Sequence, residues 1–346
     1  MGEEIRFIDL FAGIGGFRIA LEKNGAKCVF SSEWDEEAKK TYNENFGDIP
    51  KGDITKIKES EIPSHDILCA GFPCQAFSIS GKQRGFKDTR GTLFFEIARI
   101  AKYHKPKVLF LENVKNLAKH YNGNTLKIIL KTLDEVGYNT YCEILVASNY
   151  GVPQARERIY IIAFRKDLGV KFFYFPKKTY KEIYVKDILE SEEKTKEFIL
   201  NRKDLKFWTR DETPKLKPIQ IGQINNGGQG ERIYSINGHA ITLSAYGGGA
   251  AGKTGAYLVN GKIRKLSPRE CARVQGFPEW FKVHSNKSEA YKQFGNSVSV
   301  PVIDLIYQQI LKILKSDKLN QSELLTITNI PKYDYSIQKT LGVQNG

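Results

Sequence analysis

Cysteine is scarce in this sequence, and the few cysteines are not paired. The 346 residues include five of them, at positions 28, 69, 74, 142 and 271. An odd number of widely spaced cysteines without a C-x-x-C pair argues against a disulfide framework and a zinc site, and we expect no metal. Cys28, Cys69 and Cys142 lie within apolar runs and are typical of small core residues. Cys74 directly follows Pro73 outside such a run, so its presence needs another explanation.

Long apolar runs are also missing. No stretch approaches the roughly 20 residues that a membrane-spanning helix needs. The first residues, MGEEIRF, lack the basic and then apolar pattern of a secretory leader. We therefore expect a cytoplasmic protein that binds no membrane. Hydrophobic residues make up 41% of the chain, which suits one large and one smaller globular domain at this length.

Acidic residues are too few to balance the basic ones. Lys and Arg number 53 against 39 Asp and Glu, which gives a formal net charge of +14. This excess is compatible with an ordinary solvated basic surface. It also fits a polyanionic partner such as nucleic acid, where neutralised phosphates release counterions.

Strand-like and helix-like segments alternate from residue 5 to residue 165. This alternation predicts a doubly wound α/β fold with a mostly parallel sheet and helices on both faces. The last two strands, NTYCEILVA and RIYIIAF, follow each other without a helix between them. We therefore expect one antiparallel strand in the sheet.

The pattern changes after about residue 170. A Lys-rich stretch without clear periodicity leads into the Gly-rich segment NNGGQGERIYSINGHAITLSAYGGGAAGKTGAYLVNG, which predicts a small β-rich domain with long loops. The segment VSVPVIDLIYQQILKILK predicts an amphipathic helix that returns to the first domain. We divide the chain into a first domain (1–186 plus 296–315), a second domain (187–267), a hinge (268–295) and an extension of unknown role (316–346).

The first strand ends in the turn DLFAGIGGFR. Its glycines, Gly13, Gly15 and Gly16, allow a ligand to approach the backbone closely at a helix N-terminus. Glu33 ends the second strand, where an acid binds ribose hydroxyls in Rossmann-type sites. These residues indicate a nucleoside cofactor, and NAD, FAD and S-adenosylmethionine all satisfy that description. A tight turn without a ligand is the alternative.

Two further residues fit the same pocket. Trp34 is placed to flank an adenine ring, although it could equally belong to the core. Asp53 stands where a third strand should end and could reach the adenine amino group. Its alternative role is an ordinary helix N-cap.

Cys74 lies at the carboxyl end of the next strand-like run, where open α/β sheets place their ligands. Glu112 lies at the end of the following strand, within LENV. A thiol nucleophile and a carboxylic acid at adjacent strand ends form a usable catalytic pair. Arg156 and Arg158 alternate along the start of the last strand, so their side chains face the same way.

Five sequence blocks occur in the order found in DNA cytosine-C5 methyltransferases. They are FIDLFAGIGGF, GFPCQAFS, LENV, QARERIYIIAF and QFGNSV, and the resemblance runs from about residue 5 to about 312. It implies a Rossmann-like S-adenosylmethionine-dependent methyltransferase sheet with a target-recognition domain in the Gly-rich region. It also implies a monomer that acts on double-stranded DNA within a restriction-modification system.

The resemblance implies a role for each site residue. Cys74 would attack C6 of a cytosine flipped out of the duplex, Glu112 would act at N3, and Arg156 and Arg158 would orient Glu112 and the base. S-adenosylmethionine would then methylate C5. The cofactor-binding positions would be Phe11, Gly13, Ile14, Gly16, Glu33, Trp34, Asp53, Ile54, Pro73, Leu93, Asn296 and Val298.

DNA recognition is assigned to two loops by the same resemblance. Gln229 would fill the space of the flipped base, and Ser80 would approach from the other groove. Gln229 alone would otherwise be read as a plain loop residue. Arg232 suits bidentate reading of guanine, and Tyr246 would contact a neighbouring base or phosphate. The set expected to contact phosphates is Lys253, Lys262 and Arg264.

The Gly-rich region is most similar to that of members that methylate the first cytosine of GCGC, which makes this the expected target. Differences such as INGHA and GGGAAG weaken that assignment. A nicotinamide-dependent dehydrogenase would explain the Gly turn and Glu33 but not Cys74 or Glu112. A binding protein without catalysis would need neither of those two residues. An RNA-directed C5 methyltransferase is a closer rival.

Overall fold

The computed structural model describes residues 4–73, 93–179, 181–208 and 213–315. The first part contains a six-stranded sheet whose strands are β1 (Arg6–Leu10), β2 (Lys27–Ser32), β3 (Ile67–Gly71), β4 (Val108–Val114), β5 (Tyr138–Val146) and β6 (Glu157–Arg165). The helices that alternate with these strands are α1 (Gly16–Glu22), α2 (Glu36–Phe46), α3 (Leu93–His104) and α4 (Asn124–Glu135). The predicted alternation of strands and helices is confirmed.

The strand order is β2-β1-β3-β4-β6-β5. Strand β1 is parallel to β2 and β3, and β3 is parallel to β4. Strand β6 is antiparallel to both of its neighbours, β4 and β5. The expected antiparallel strand is therefore the last one. Because β1, β3 and β4 are parallel, their carboxyl ends meet at one edge of the sheet, where ligands bind in such folds.

The expected strand before Asp53 is not formed. Lys51 makes only an isolated parallel bridge with Ser32. Asp53 instead caps a single 3-10 turn, Ile54–Lys56, by accepting a hydrogen bond from the backbone N–H of Thr55. The N-cap alternative for this residue is thus realised, because its short carboxylate satisfies a backbone donor that the turn leaves free.

Both faces of the first sheet are covered by apolar layers. Along β1, Phe7 belongs to one buried cluster and Ile8 to the other, as the period-two geometry of a strand requires. Cys69 is buried and Cys28 is half-buried against the same layer, in agreement with their predicted core role. Cys142 is exposed on the edge strand β5, so its predicted core position is wrong.

The second part contains a short helix, α5 (Glu192–Thr195), and a five-stranded sheet. Its strands are β7 (Leu205–Phe207), β8 (Gln220–Ile224), β9 (Arg232–Ser235), β10 (Ala256–Val259) and β11 (Lys262–Lys265). Their order is β11-β10-β9-β8-β7, and the pairs are antiparallel except β9 with β10. A β-rich unit was expected here, and the boundaries proposed for it remain predictions.

Three helices follow: α6 (Pro268–Gln275), α7 (Lys287–Asn296) and α8 (Val300–Lys315). The segment 287–315 is apolar enough to compare with a membrane span, but 56% of its most apolar window is buried within the protein. Helices α7 and α8 are separate, and α8 packs against α1. Asp304 of α8 accepts hydrogen bonds from Lys23 and Asn24 beyond α1. Helix α8 therefore packs within the core of the first part of the chain.

Candidate functional site

The turn after β1 is held by the carboxylate of Glu33. Its oxygens accept hydrogen bonds from the backbone N–H groups of Gly13, Trp34 and Asp35, each at 2.8 Å. Glu33 follows β2 directly, so this carboxylate ties the ends of β1 and β2 together. Burial raises the pKa of Glu33, and the hydrogen bonds from Asp35, Gly13 and Trp34 oppose that rise.

The glycines of this turn serve different purposes. Gly13 has a φ of +54° and no atom within 4 Å of the position that a Cβ would take. At Gly16 a Cβ would lie 2.6 Å from Cγ2 of Val298, and at Gly15 it would collide with the ring of Phe46. The open space for a ligand is therefore at Gly13. Gly15 and Gly16 are small because the protein itself packs against them.

Trp34 follows Glu33 directly, and Asp53 comes two residues after Lys51, which pairs with Ser32 of β2. The Trp34 side chain is 72% exposed, which excludes the core role that the sequence left open. One oxygen of Asp53, Oδ1, accepts from the N–H and the hydroxyl of Thr55 at 3.0 and 2.8 Å. Its other oxygen lies 3.8 Å from Nζ of Lys56. Both side chains are thus available at the edge of the sheet.

A second group of residues lies at the ends of β3 and β4. Glu112 pairs in register with Gly71, and its Oε2 lies 3.7 Å from the position that a Cβ on Gly71 would take. Cγ1 of Val298 lies at the same distance from that position. The buried amide of Asn113 donates to the carbonyl of Phe72 at 2.8 Å. Asn113 therefore fixes the chain just before Pro73, a role that its place in LENV did not suggest.

Glu112 is paired with Arg158. Nε of Arg158 lies 3.0 Å from Oε1 of Glu112, and both side chains are largely buried. Burial raises the pKa of Glu112, while the positive charges of Arg158 and then Arg156 oppose the rise. Because burial is the larger effect, this carboxyl holds a proton to higher pH than an exposed glutamate.

Arg156 does not share this partner. Its guanidinium donates to the carbonyl of Gly295 at 3.3 Å and to that of Ser297 at 2.5 Å. Of the two arginines expected to orient Glu112 and the base, only Arg158 forms an ion pair with Glu112, and Arg156 acts on it through its charge alone. Arg156 stands one residue before β6 and Arg158 within it, and the two side chains meet different neighbours.

Asp9 was missed by the sequence reasoning. It lies in the middle of β1, is buried, and neither carboxylate oxygen has a hydrogen-bond partner within the described part of the chain. Burial, followed by the nearby charge of Glu33, raises its pKa well above the usual value, while Arg18 opposes the rise. The available signal was an acid inside the otherwise apolar run FIDLF.

The expected DNA-reading residues lie on two adjoining loops. Gln229 is exposed in the loop between β8 and β9, and Arg232 is exposed where β9 begins. Tyr246 is 79% exposed on the next loop. The loops pack backbone to backbone: the N–H of Ala251 donates to the carbonyl of Gly230 at 2.9 Å. A Cβ on Gly230 would collide with the carbonyl of Gly248. The two loops thus form one unit.

The predicted phosphate contact of Arg264 is wrong. Arg264 is buried in a bidentate ion pair with Glu270, with both nitrogen–oxygen distances at 2.7 Å. The other two predicted contacts have partners within the protein: Lys253 donates to Ser288, and Lys262 forms an ion pair with Glu192. Arg264 is thus unavailable to DNA.

The remaining expected cofactor positions have different exposures. Ile14, Ile54 and Val298 are buried. Phe11 and Leu93 are half-buried, and Pro73 and Asn296 are exposed. Cys74, Ser80 and the predicted extension 316–346 lie outside the described residues. Within the described ranges, no three His, Cys, Asp or Glu side chains form a group that could hold a metal ion.

The sequence matches a family model described as C-5 cytosine-specific DNA methylase over residues 5–312. It is 57% identical over 307 residues to the Type II methyltransferase M.HhaI of Haemophilus parahaemolyticus, covering 88% of this chain and 94% of that protein. It is 47% identical over 330 residues to the Type II methyltransferase M.HpaII of Haemophilus parainfluenzae, covering 90% of each.

Solved structures with the same fold include the S. pombe Dnmt2 methyltransferase, with a TM-score of 0.70 and 21% identity over 90% of this chain and all of that chain. A putative DNA modification methyltransferase from an E. coli prophage has a TM-score of 0.65 and 22% identity, with the same coverage. At these identities the likeness establishes the fold alone.

Proposed function

This chain belongs to the C-5 cytosine-specific DNA methylases and is therefore a DNA (cytosine-5) methyltransferase, and from that premise we propose how its own residues perform the reaction. The observation that carries the proposal is the buried carboxyl of Glu112, level with Gly71 at the end of β3 and paired with Arg158. Cys74 follows Gly71 by three residues in the sequence. A thiol and a carboxyl at adjacent strand ends are the pair that addition to a cytosine ring requires.

Members of this family take their methyl group from S-adenosylmethionine, which supplies an electrophilic methyl on a positively charged sulfur. The residues of this chain fit its nucleoside. A carboxylate has about four acceptor positions, and the three backbone donors on Glu33 leave one for a ribose hydroxyl. Gly13 faces open space, and the exposed Trp34 provides a flat surface for adenine.

The other cofactor positions complete the pocket. Asp53 offers Oδ2, the oxygen that does not cap its turn, to the adenine amino group. The buried side chains support the pocket from behind, and the more exposed ones line it. This set consists of Phe11, Ile14, Ile54, Pro73, Leu93, Asn296 and Val298, and Gly16 serves it by letting Val298 pack against the turn.

In the proposed mechanism the thiolate of Cys74 forms a bond to C6 of cytosine, and the displaced π electrons make C5 nucleophilic. Glu112 donates its proton to N3, which neutralises the charge that develops on the ring. Arg158 holds the Glu112 carboxyl in place. After C5 has gained the methyl group, it loses its proton to a base, and the bond between Cys74 and C6 breaks. N3 returns its proton to Glu112, and the ring regains its aromaticity.

C6 of a stacked base pair is out of reach for a side chain, so the target cytosine leaves the helix at a cost of a few kcal/mol. Gln229 fills the vacated space and offers its amide to the unpaired guanine, and Ser80 approaches from the other side. Arg232 reads a guanine through two hydrogen bonds, and Tyr246 contacts a neighbouring base or phosphate. The exposure of these described side chains supports the assignment for Gln229, Arg232 and Tyr246.

The expected target is GCGC, because the Gly-rich region resembles that of GCGC-specific members. The relatives are bacterial Type II methyltransferases, so we place the enzyme in the cytoplasm as the protective partner of a restriction-modification system. It acts as a monomer on double-stranded DNA.

The activity is tested with S-adenosylmethionine carrying a tritiated methyl group, offered with duplex DNA and, separately, with tRNA. Label in DNA is expected, and label in tRNA alone would favour the RNA-directed alternative. Cys74→Ala should abolish transfer, and transfer at a near-normal rate would contradict the thiolate role. A duplex with 5-fluorocytosine at the target should form an adduct stable to SDS, because fluorine cannot leave C5 as a proton does.

The target sequence needs a separate experiment. Plasmid from cells that express the chain should resist an endonuclease that cuts GCGC, and bisulfite sequencing should find the methyl group on the first cytosine. Normal cleavage with methylation at other sites would disprove the GCGC assignment and leave the activity standing.

A further inference from the structure

Gln154 is a fully buried glutamine that the mechanism above does not use. Its side chain is 0% exposed, and it lies in the turn that leads into β6. It precedes Arg156 and Arg158 in the same short stretch of chain. Arg158 holds Glu112, and Arg156 holds the 295–297 turn.

The amide of Gln154 connects three separate segments. Its Nε2 donates to the carbonyl of Val274 and to Oε1 of Gln275, both at 3.1 Å. Its Oε1 accepts from the backbone N–H of Leu243, also at 3.1 Å. The side chain therefore uses both ends of its amide, and no water is needed to satisfy it.

Leu243 belongs to the segment 240–246, which runs alongside the turn of Gln154. The N–H of Ala240 donates to the carbonyl of Pro153 at 2.7 Å, and the N–H of Ala155 donates to the carbonyl of Ala240 at 2.9 Å. The hydroxyl of Thr242 donates to the carbonyl of Ala155 at 2.7 Å. The segment is thus held against the turn by backbone bonds at one end and by the Gln154 amide at the other.

The same segment then passes directly over Gly295. A Cβ on Gly295 would collide with the backbone N–H of Ala245, so the two chains are in close contact there. The next residue is the exposed Tyr246. Gln275 holds the chain on both sides of Gly295 in the sequence, since its Nε2 donates to the carbonyls of Phe294 at 2.7 Å and Ser297 at 3.3 Å.

We propose that Gln154 is a positioning residue that sets the DNA-reading loop of Tyr246 at a fixed place relative to the Glu112 centre. The reason is geometric: the turn before β6 carries Gln154 toward the reading segment, and four residues later the start of β6 carries Arg158 toward Glu112. A shift of the segment at Leu243 would move Tyr246 and leave Glu112 where it is. This inference rests on the roles proposed above for Tyr246 and Glu112.

The test is Gln154→Met, which keeps the volume of the side chain and removes its hydrogen bonds. Gln309→Met makes the same chemical change on α8, away from the junction, and serves as the matched control. Each enzyme is given the duplex that the wild type methylates best and duplexes with one changed base pair. KM for DNA, kcat and binding of S-adenosylhomocysteine are measured.

For Gln154→Met we expect KM for DNA to rise about tenfold, and preference for the correct duplex to fall about tenfold, which corresponds to about 1.4 kcal/mol. Binding of S-adenosylhomocysteine should stay within about twofold of the wild type. An unchanged KM and preference would overturn the proposal. If cofactor binding and activity fell together while the preference for the correct duplex stayed unchanged, the proposal would also be overturned. That result would indicate that Gln154 has a purely structural role.

Gln154→Asn provides a second variant if the methionine protein does not fold. It keeps the amide but is one methylene shorter, so it cannot serve Leu243 and Val274 together. A smaller change in the same direction is expected, and wild-type preference in this variant would count against the proposal. If the wild type itself transferred no methyl group to any duplex, the proposed function would fail, and that result is obtained before any variant is made.

Discussion

Arg264 has two interpretations that one experiment can separate: it either contacts DNA phosphate or is the buried partner of Glu270. The two side chains are 4% and 0% exposed, and they are joined by two hydrogen bonds of 2.7 Å. Glu270 also accepts from the backbone N–H groups of Glu190 and Ser267, each at 2.8 Å. Arg264→Met would leave this carboxylate buried with its backbone donors but without its counter-charge.

Removing one partner of a buried ion pair costs about 3–5 kcal/mol of unfolding free energy. An unfolding entropy of about 2.1 cal/mol/K per residue gives roughly 0.7 kcal/mol/K for 346 residues. The melting temperature of Arg264→Met should therefore fall by roughly 4–7 °C. The double variant Arg264→Met/Glu270→Leu should recover much of the loss, because it removes the unpaired charge.

The assay is thermal unfolding of the wild type, both variants and Arg202→Met, together with DNA binding over a range of salt concentrations. Arg202 forms an exposed pair with Asp204 and serves as the control, with little change expected. A phosphate-binding arginine would behave differently: its loss would leave the melting temperature unchanged and reduce the salt slope by about one. That pattern in Arg264→Met would refute the buried-pair interpretation.

Three further changes test the site. Gly16→Ala places a methyl 2.6 Å from Cγ2 of Val298, so we expect a loss of about 1–3 kcal/mol in urea unfolding from the clash. Gly13→Ala faces open space but has a φ of +54°, so we expect a loss of about 1–2 kcal/mol from backbone strain alone. Asp9 has a raised pKa in the folded protein, so its contribution to stability is present at low pH and is lost as pH rises through that pKa. Asp9→Asn should flatten the dependence of the urea midpoint on pH above the ordinary carboxyl pKa of about 3.9, and a curve parallel to that of the wild type would speak against this. Arg158→Met removes the charge that most strongly opposes the raised pKa of Glu112. In a plot of the methylation rate against pH, the alkaline limb should therefore move to higher pH. A limb that does not move would show that Glu112 is not its source.

Periodicity and strand ends could be read from the sequence because they depend on neighbouring residues. The alternation of strands and helices places Gly13, Glu33 and Glu112 at carboxyl ends of strands, and the structure brings those ends to one edge. The antiparallel strand followed from a missing crossover helix. These features are local, so the order of residues is enough to predict them.

Partners across the fold could not be read in the same way. Arg264 lies in the basic stretch KIRK, which looks like a surface, and only the packing of α6 shows that Glu270 faces it. The strand expected before Asp53 does not form, because this segment pairs with the neighbouring chain through a single bridge between Lys51 and Ser32. Gly15 and Gly16 look like ligand-facing glycines until Phe46 and Val298 are found against them.

One short stretch of chain supports several parts of the proposed site at once. In PQARER, Gln154, Arg156 and Arg158 each meet a different segment. Gln154 and Arg156 stand in the turn before β6, whereas Arg158 stands within that strand. The side chains of a strand repeat every two residues, so a slip of one residue in β6 would turn Arg158 away from Glu112. The register of β6 against β4, which pairs Val114 with Arg158, therefore keeps the Arg158–Glu112 pair together.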